Sequence, residues 1–263
     1  MNVRLLGADE PPPVFEQGRE GRSDFLITVD HAGARIPQCL GDLGVPETEL
    51  RRHIAWDIGA LEVARRVGAA LDATVVAQDY SRLVIDCNRD PGWESSIPTV
   101  SEYTAIPGNT RLTIADRDIR RREIFEPYHT HIRALLDERA HAGRNTILIA
   151  QHSMTDIYKG VRRPMHASVM YNRDRRFACH MLEILRREPG ITIGENEPYA
   201  VSDETDYSVR WHAEARGLLH VEIEIRQDLI LDATGQSEWA ERIGRALVAA
   251  RDALKGIEGT GLR

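Results

Sequence analysis

The chain has 263 residues, 42% of them hydrophobic and 29% charged, too apolar for a disordered protein. No run of roughly 18 apolar residues offers a membrane span, and a net charge of −7 speaks against nucleic acid, which needs a concentrated basic face. Cys39, Cys87 and Cys179 show no CxxC spacing, so any metal site must draw on the 10 histidines and the carboxylates.

Residues 1–7 lack the apolar core of a signal peptide and run into Pro11, Pro12 and Pro13, so a cytoplasmic setting is expected. Residues 1–23 read as an N-terminal arm that lies on the surface or enters the fold. The continuous apolar run Phe25–Val29 predicts a strand buried on both faces. From Asp57, the apolar positions Ile58, Leu61, Val63, Ala64, Val67 and Leu71 follow a helical period. Strands are expected over 74–77 and 83–87. The segment 92–113 is long and irregular, yet its aromatic and apolar residues argue for an ordered, functional loop. A long helix is expected over 115–142, then a strand over 146–150. Further on, the pattern predicts a strand at 168–171, a helix at 175–187, helix at 207–216, a strand at 218–225 and a closing helix at 237–254. Residues 256–263 read as a frayed, glycine-rich tail. Strand-length runs alternating with helical periods predict a single α/β domain over residues 1–263, with one sheet flanked by helices.

Polar groups at the carboxyl ends of buried strands are the main functional signal. His31 follows the first strand and His152 the strand at 146–150, and ligands of open α/β sheets sit in the crevice beyond such ends. Each histidine either caps its strand locally or converges with the other on a ligand. Asp57 is either an ordinary helix cap or the third donor of a zinc site with an open position. In the strand containing Glu222 and Glu224, both carboxylates share the polar face with His220 and Arg226. That face is either the exposed side of an edge strand or a source of a general base, Glu224 being nearer the carboxyl end. Arg82, Asn88 and Arg89 surround an apolar run and form either a forked carboxylate site or a structural ion-pair network in which Asp86 pairs with an arginine. His129 and His131, two apart in a helix, make a poor metal pair. No GxGxxG, Walker loop or GxSxG elbow is present, which leaves nucleotide binding and serine-hydrolase chemistry without support.

Taken together, Val29-Asp30-His31-Ala32-Gly33 with Ile36-Pro37, Trp56-Asp57-Ile58-Gly59-Ala60, the segment 80–89, Ile106-Pro107-Gly108-Asn109, Gln151-His152-Ser153 and the segment 223–229 resemble the N-formylglutamate amidohydrolase family, in its order and over about residues 25–231. The resemblance implies a mixed sheet flanked by helices, like that of zinc carboxypeptidases, with one zinc ion held by His31, Asp57 and His152. It implies Glu224 as general base, and Arg82, Asn88, Arg89 and Arg226 as groups for the substrate carboxylates or the oxyanion. The implied reaction is hydrolysis of the formamide of N-formyl-L-glutamate, or of a related N-acyl amino acid, by metal-bound water, with a small anionic substrate and no nucleic-acid or membrane partner. The alternatives are an amidase for larger acylated amino acids or peptidoglycan fragments, and a non-catalytic anion-binding domain. The deformylase branch tends to carry a histidine where this chain has Asp57; either side chain ligates zinc.

Overall fold

A computed structural model describes residues 4–259. The chain enters its sheet inside the expected arm: β1 (Val14–Gln17) pairs antiparallel with β3 (Thr74–Gln78), and the Tyr80 hydroxyl donates to the Pro11 carbonyl at 2.8 Å. Between them lie β2 (Phe25–Val29), buried at every position, and α1 (Ala60–Leu71). The long helix expected over 115–142 is two helices, α2 (Ile114–Arg120) and α3 (Glu126–His141), joined through a π-helical turn at Arg121–Phe125. A capping box at Thr113 and Asp116 starts α2. The remaining elements are β4 (Ile147–Met154), β5 (Ala167–Met170), α4 (Arg176–Leu185), β6 (Ile193–Glu195), β7 (Leu219–Arg226) and α5 (Ala233–Gly259). Because α5 continues to Gly259, the expected tail is helical from 256 to 259, and 260–263 lie outside the described residues.

The sheet order is β1-β3-β2-β4-β7-β5-β6, with β3, β2, β4 and β7 mutually parallel and the expected mixed sheet completed by antiparallel partners at both sides. Alternation along β2 divides the core. Phe25, Ile27 and Val29 face α1, α4 and α5, while Leu26 faces Tyr128, Ile132 and the loops before α2. Parallel strands covered by helices on both faces must be apolar throughout, which is why these runs read as continuous rather than alternating.

One expectation fails for an identifiable reason. Residues 83–87 are buried but not a strand: Ser81 turns the chain, accepting from Leu83 N through its hydroxyl and from Val84 N through its carbonyl, and Asp86 N donates to Ser96 O. Those backbone groups are satisfied locally, so no ladder forms. The segment 207–216 forms a π-helical turn at Val209–Ala213 and a 3-10 turn at Glu214–Arg216. The loop 92–113 is ordered as expected and carries a small hairpin, Val100–Ser101 with Thr104–Ala105; a second hairpin joins Ile157–Tyr158 to Val161–Arg162. Among the described residues, no helix is long and apolar enough to cross a membrane.

The topology sets the site. From β2 the chain moves to β3 on one side, then to β4 on the other, so the order reverses between β2 and β4 and leaves a crevice at their carboxyl ends.

Candidate metal centre and active site

Three buried side chains meet in that crevice. His31 follows β2, His152 lies within β4, and Asp57 comes from the loop before α1. One ligand atom from each lies within 4.8 Å of the others. Asp57 Oδ2 is 2.8 Å from His152 Nδ1 and 3.3 Å from His31 Nδ1. Asp57 is not the cap of α1. That place is taken by Gly59 at φ 77°, with no side-chain cap bond, and a Cβ there would overlap the Ile230 carbonyl oxygen. The tight Gly59 turn lets the Asp57 amide donate to the His31 carbonyl at 2.9 Å, which ties the Asp57 loop to the end of β2.

The far nitrogens of both imidazoles meet carboxylates. His31 Nε2 lies 2.7 Å from Asp86 Oδ1; His152 Nε2 lies 3.5 Å from Asp30 Oδ2, and both of these last atoms are buried without a hydrogen-bond partner among the described residues. An imidazole backed by a carboxylate, with its other nitrogen aimed at a shared point, is the arrangement of a metal-ligating histidine. Burial works against ionisation of Asp57, but the charges and hydrogen bonds of His31 and His152 outweigh it and hold the carboxyl well below its usual range. Two imidazoles and one ionised carboxylate, all buried, could hold a zinc ion and leave a position open.

Glu224 reaches the same space from β7, which is an interior strand between β4 and β5 rather than an edge. Its Oε1 accepts from the Tyr199 hydroxyl, and its Oε2 is buried without a partner among the described residues. Burial pushes its pKa up, against the opposing charge of His152. Glu222, two residues earlier, is also buried and pushed well up, by burial and then by Asp206, but it does not line the cavity.

A cavity of about 710 Å³ opens over Asp57 and Glu224, with Arg82, Asp86 and Arg89 in its walls and both hairpins at its rim. Arg82 is committed to Asp86 at 2.7 Å and to Asp57 at 3.4 Å, the structural ion-pair network that the sequence left open. Arg89 faces the cavity, although one guanidinium nitrogen donates to the Asn88 and Thr205 carbonyls. Two residues expected at the substrate do not face it. Asn88 is buried and holds the segment 206–208, donating to Asp206 and accepting from the amides of Tyr207 and Ser208. Arg226 points to the base of the second hairpin, paired with Asp228 and donating to the carbonyls of Arg163 and Met165. Both are short-range polar neighbours of site residues whose side chains are used up by a carboxylate and by backbone groups.

Sequence reasoning missed Asp30, Tyr199 and Arg163. The position of Asp30 beside His31 was a usable signal, since a carboxylate next to a ligand is well placed to back another. Tyr199 and Arg163 lie in irregular segments and carry no local signal. His129 is buried and pairs with His212 at 2.8 Å, away from the metal group.

The family model for N-formylglutamate amidohydrolase matches residues 23–231. An N-formylglutamate deformylase of Pseudomonas putida is 32% identical over 129 residues, 45% of this chain and 47% of that protein, so the match spans about half the length of that relative. A crystal structure of a gene product of Agrobacterium tumefaciens superposes with a TM-score of 0.93 at 36% identity, covering 96% of this chain and 100% of the other. An N-formylglutamate amidohydrolase of Ralstonia eutropha JMP134 shares the fold, with a TM-score of 0.66 at 18% identity over 94% of this chain and 100% of its own. With the family's model extending from two residues before β2 to two residues before α5, this chain belongs to the N-formylglutamate amidohydrolase family.

Proposed function

We propose that the chain is a metal-dependent amidohydrolase that cleaves the formamide of N-formyl-L-glutamate or a related N-acyl amino acid. One observation carries the reading: the buried His31, Asp57 and His152 donors converge within 4.8 Å, and Asp57 opens onto a cavity that also receives Glu224. Zinc held by these three residues would supply Lewis acidity toward the amide carbonyl and lower the pKa of water.

The rest of the chemistry belongs to the chain. Asp86 and Asp30 fix the ring orientations of His31 and His152. Arg82, bridging Asp57 and Asp86, holds both carboxylates in place and favours the ionised form of Asp86. Glu224 takes a proton from the attacking water and passes it to the leaving nitrogen; Tyr199 holds one of its oxygens and leaves the other available. Its raised pKa suits a group that must accept and then release a proton near neutrality. Arg89 offers positive charge to a substrate carboxylate. Formate and glutamate are the products from N-formylglutamate. A reducing cytoplasm suits the three free cysteines.

The cavity volume favours a second reading of the acyl group. About 710 Å³ lies in the range that encloses drug-sized ligands, and N-formylglutamate is smaller. A panel of N-formyl, N-acetyl and longer N-acyl amino acids, assayed with zinc present, separates the two. Preference for formyl supports a deformylase, preference for longer acyl groups supports the broader amidase, and no turnover of any member removes the amidohydrolase reading.

A further inference from the structure

Charges in the cavity are mostly neutralised by one another. Arg82 serves Asp57 and Asp86, and Glu102 is met by Arg52. Among the described residues, Arg163 forms no ion pair, although it lines the cavity. Its guanidinium lies over the Tyr158 ring, 5.3 Å from the centroid, and makes one long bond, 3.4 Å, to the Thr155 carbonyl. Stacking occupies the face of a guanidinium and leaves its in-plane N–H donors for a carboxylate.

Its main chain is firmly held. Arg163 N donates to Asp156 O at 2.8 Å, closing the second hairpin, and its carbonyl accepts from Arg226. The hairpin tip turns at Lys159 and Gly160, both at positive φ, and the Lys159 amide donates to Glu102 Oε1 at 2.9 Å, which links it to the first hairpin. Arg226, expected at the substrate, thus anchors the residue that faces it. Arg163 and Glu224 both line the cavity. In an N-acyl amino acid, the α-carboxylate is attached to the same carbon as the scissile amide nitrogen, so an arginine in the same cavity is within reach of that carboxylate when the amide lies against Glu224.

Resting on the amidohydrolase reading, we propose that Arg163 is a specificity-determining residue that binds a substrate carboxylate and so selects N-acyl amino acids with a free α-carboxylate. The substitution R163Q keeps most of the stem on Tyr158 and removes the charge; R163K restores charge without the planar fork. Calorimetric titration of the full chain with L-glutamate tests the grip apart from turnover. Binding weakened by about 10- to 100-fold in R163Q, with partial recovery in R163K, supports it, that being the scale of one lost charge-assisted pair. Equal binding in R163Q, or no binding to the unaltered chain, overturns it. With N-formylglutamate as substrate, KM rises and kcat changes little; N-formylglutamate α-amide is a poor substrate for the unaltered chain and loses nothing further in R163Q. Equal additional loss on the α-amide overturns the assignment. Absence of turnover with glutamate binding intact and Arg163-dependent strikes the amidohydrolase reading and leaves the carboxylate site standing.

Discussion

Asp57 Oδ2 stands 2.8 Å from His152 Nδ1 although 95 positions separate the two residues. The contact exists because β2 and β4 are parallel neighbours at the point where strand order reverses, and because the Gly59 turn delivers Asp57 to that point instead of to the start of α1.

Removing the Asp57 carboxylate is expected to abolish tight zinc binding. Loss of D57A should exceed the roughly 10–100-fold typical of outer partners, whereas D57H, which supplies a nitrogen, should retain metal. Zinc content by elemental analysis, with chelator competition, reads both. Full zinc occupancy in D57A would remove Asp57 from the ligand set.

Glu224→Gln is nearly isosteric and leaves the three donors untouched. Zinc content should stay at the unaltered level while kcat falls about 10²–10⁴-fold, the usual contribution of a positioned acid–base. Unchanged turnover in this variant would take the proton transfer away from Glu224.

Asp86 backs His31 and also neutralises Arg82. D86A should weaken zinc affinity by about 10–100-fold without eliminating it. Competition with a chelator of known affinity measures the change, and an affinity equal to that of the unaltered chain would show that His31 needs no backing.

Acid should destabilise the fold through His129 and His212. The Cys87 carbonyl can only accept, so His129 Nε2 carries its proton, and its Nδ1 accepts from His212 Nε2. In this arrangement a second proton on His129 would face the His212 Nε2–H. Burial lowers its pKa from 6.5 to about 4, and that of His212 well below its ordinary value. A folded-state pKa below the unfolded one means that the contribution is full above pH 6.5 and is lost as pH falls toward about 4. For His129 alone the loss at about pH 5 is about 2 kcal/mol. Urea midpoints between pH 7 and 5 check it, and the double variant H129N/H212N should show a shallower fall; an equally steep fall would assign the effect elsewhere.

Much of the architecture was legible locally. Five consecutive apolar residues at 25–29 can only be buried on both faces, and burial on both faces of a sheet calls for helices above and below. Placing His31 and His152 after such runs was likewise a local inference, since parallel strands must end at one edge. Where local reasoning failed, tertiary partners took over the backbone or the side chain. The run at 83–87 is apolar because α3 covers it, yet its amides bond to Ser81 and Ser96 rather than to a neighbouring strand.

Side-chain commitment was a matter for the tertiary structure alone. Arg82, Asn88, Arg89, Arg163 and Arg226 all carry donors suited to a carboxylate. The sequence by itself determined that Arg82, Asn88 and Arg89 flank one apolar run and that Arg226 ends another. It could not say that Asn88 is used by Asp206, that Arg226 is used by Asp228, or that Arg163 has no carboxylate partner among the described residues. A hydrogen bond is satisfied at about 3 Å, and at that range the partners are set by chain segments that meet only after folding.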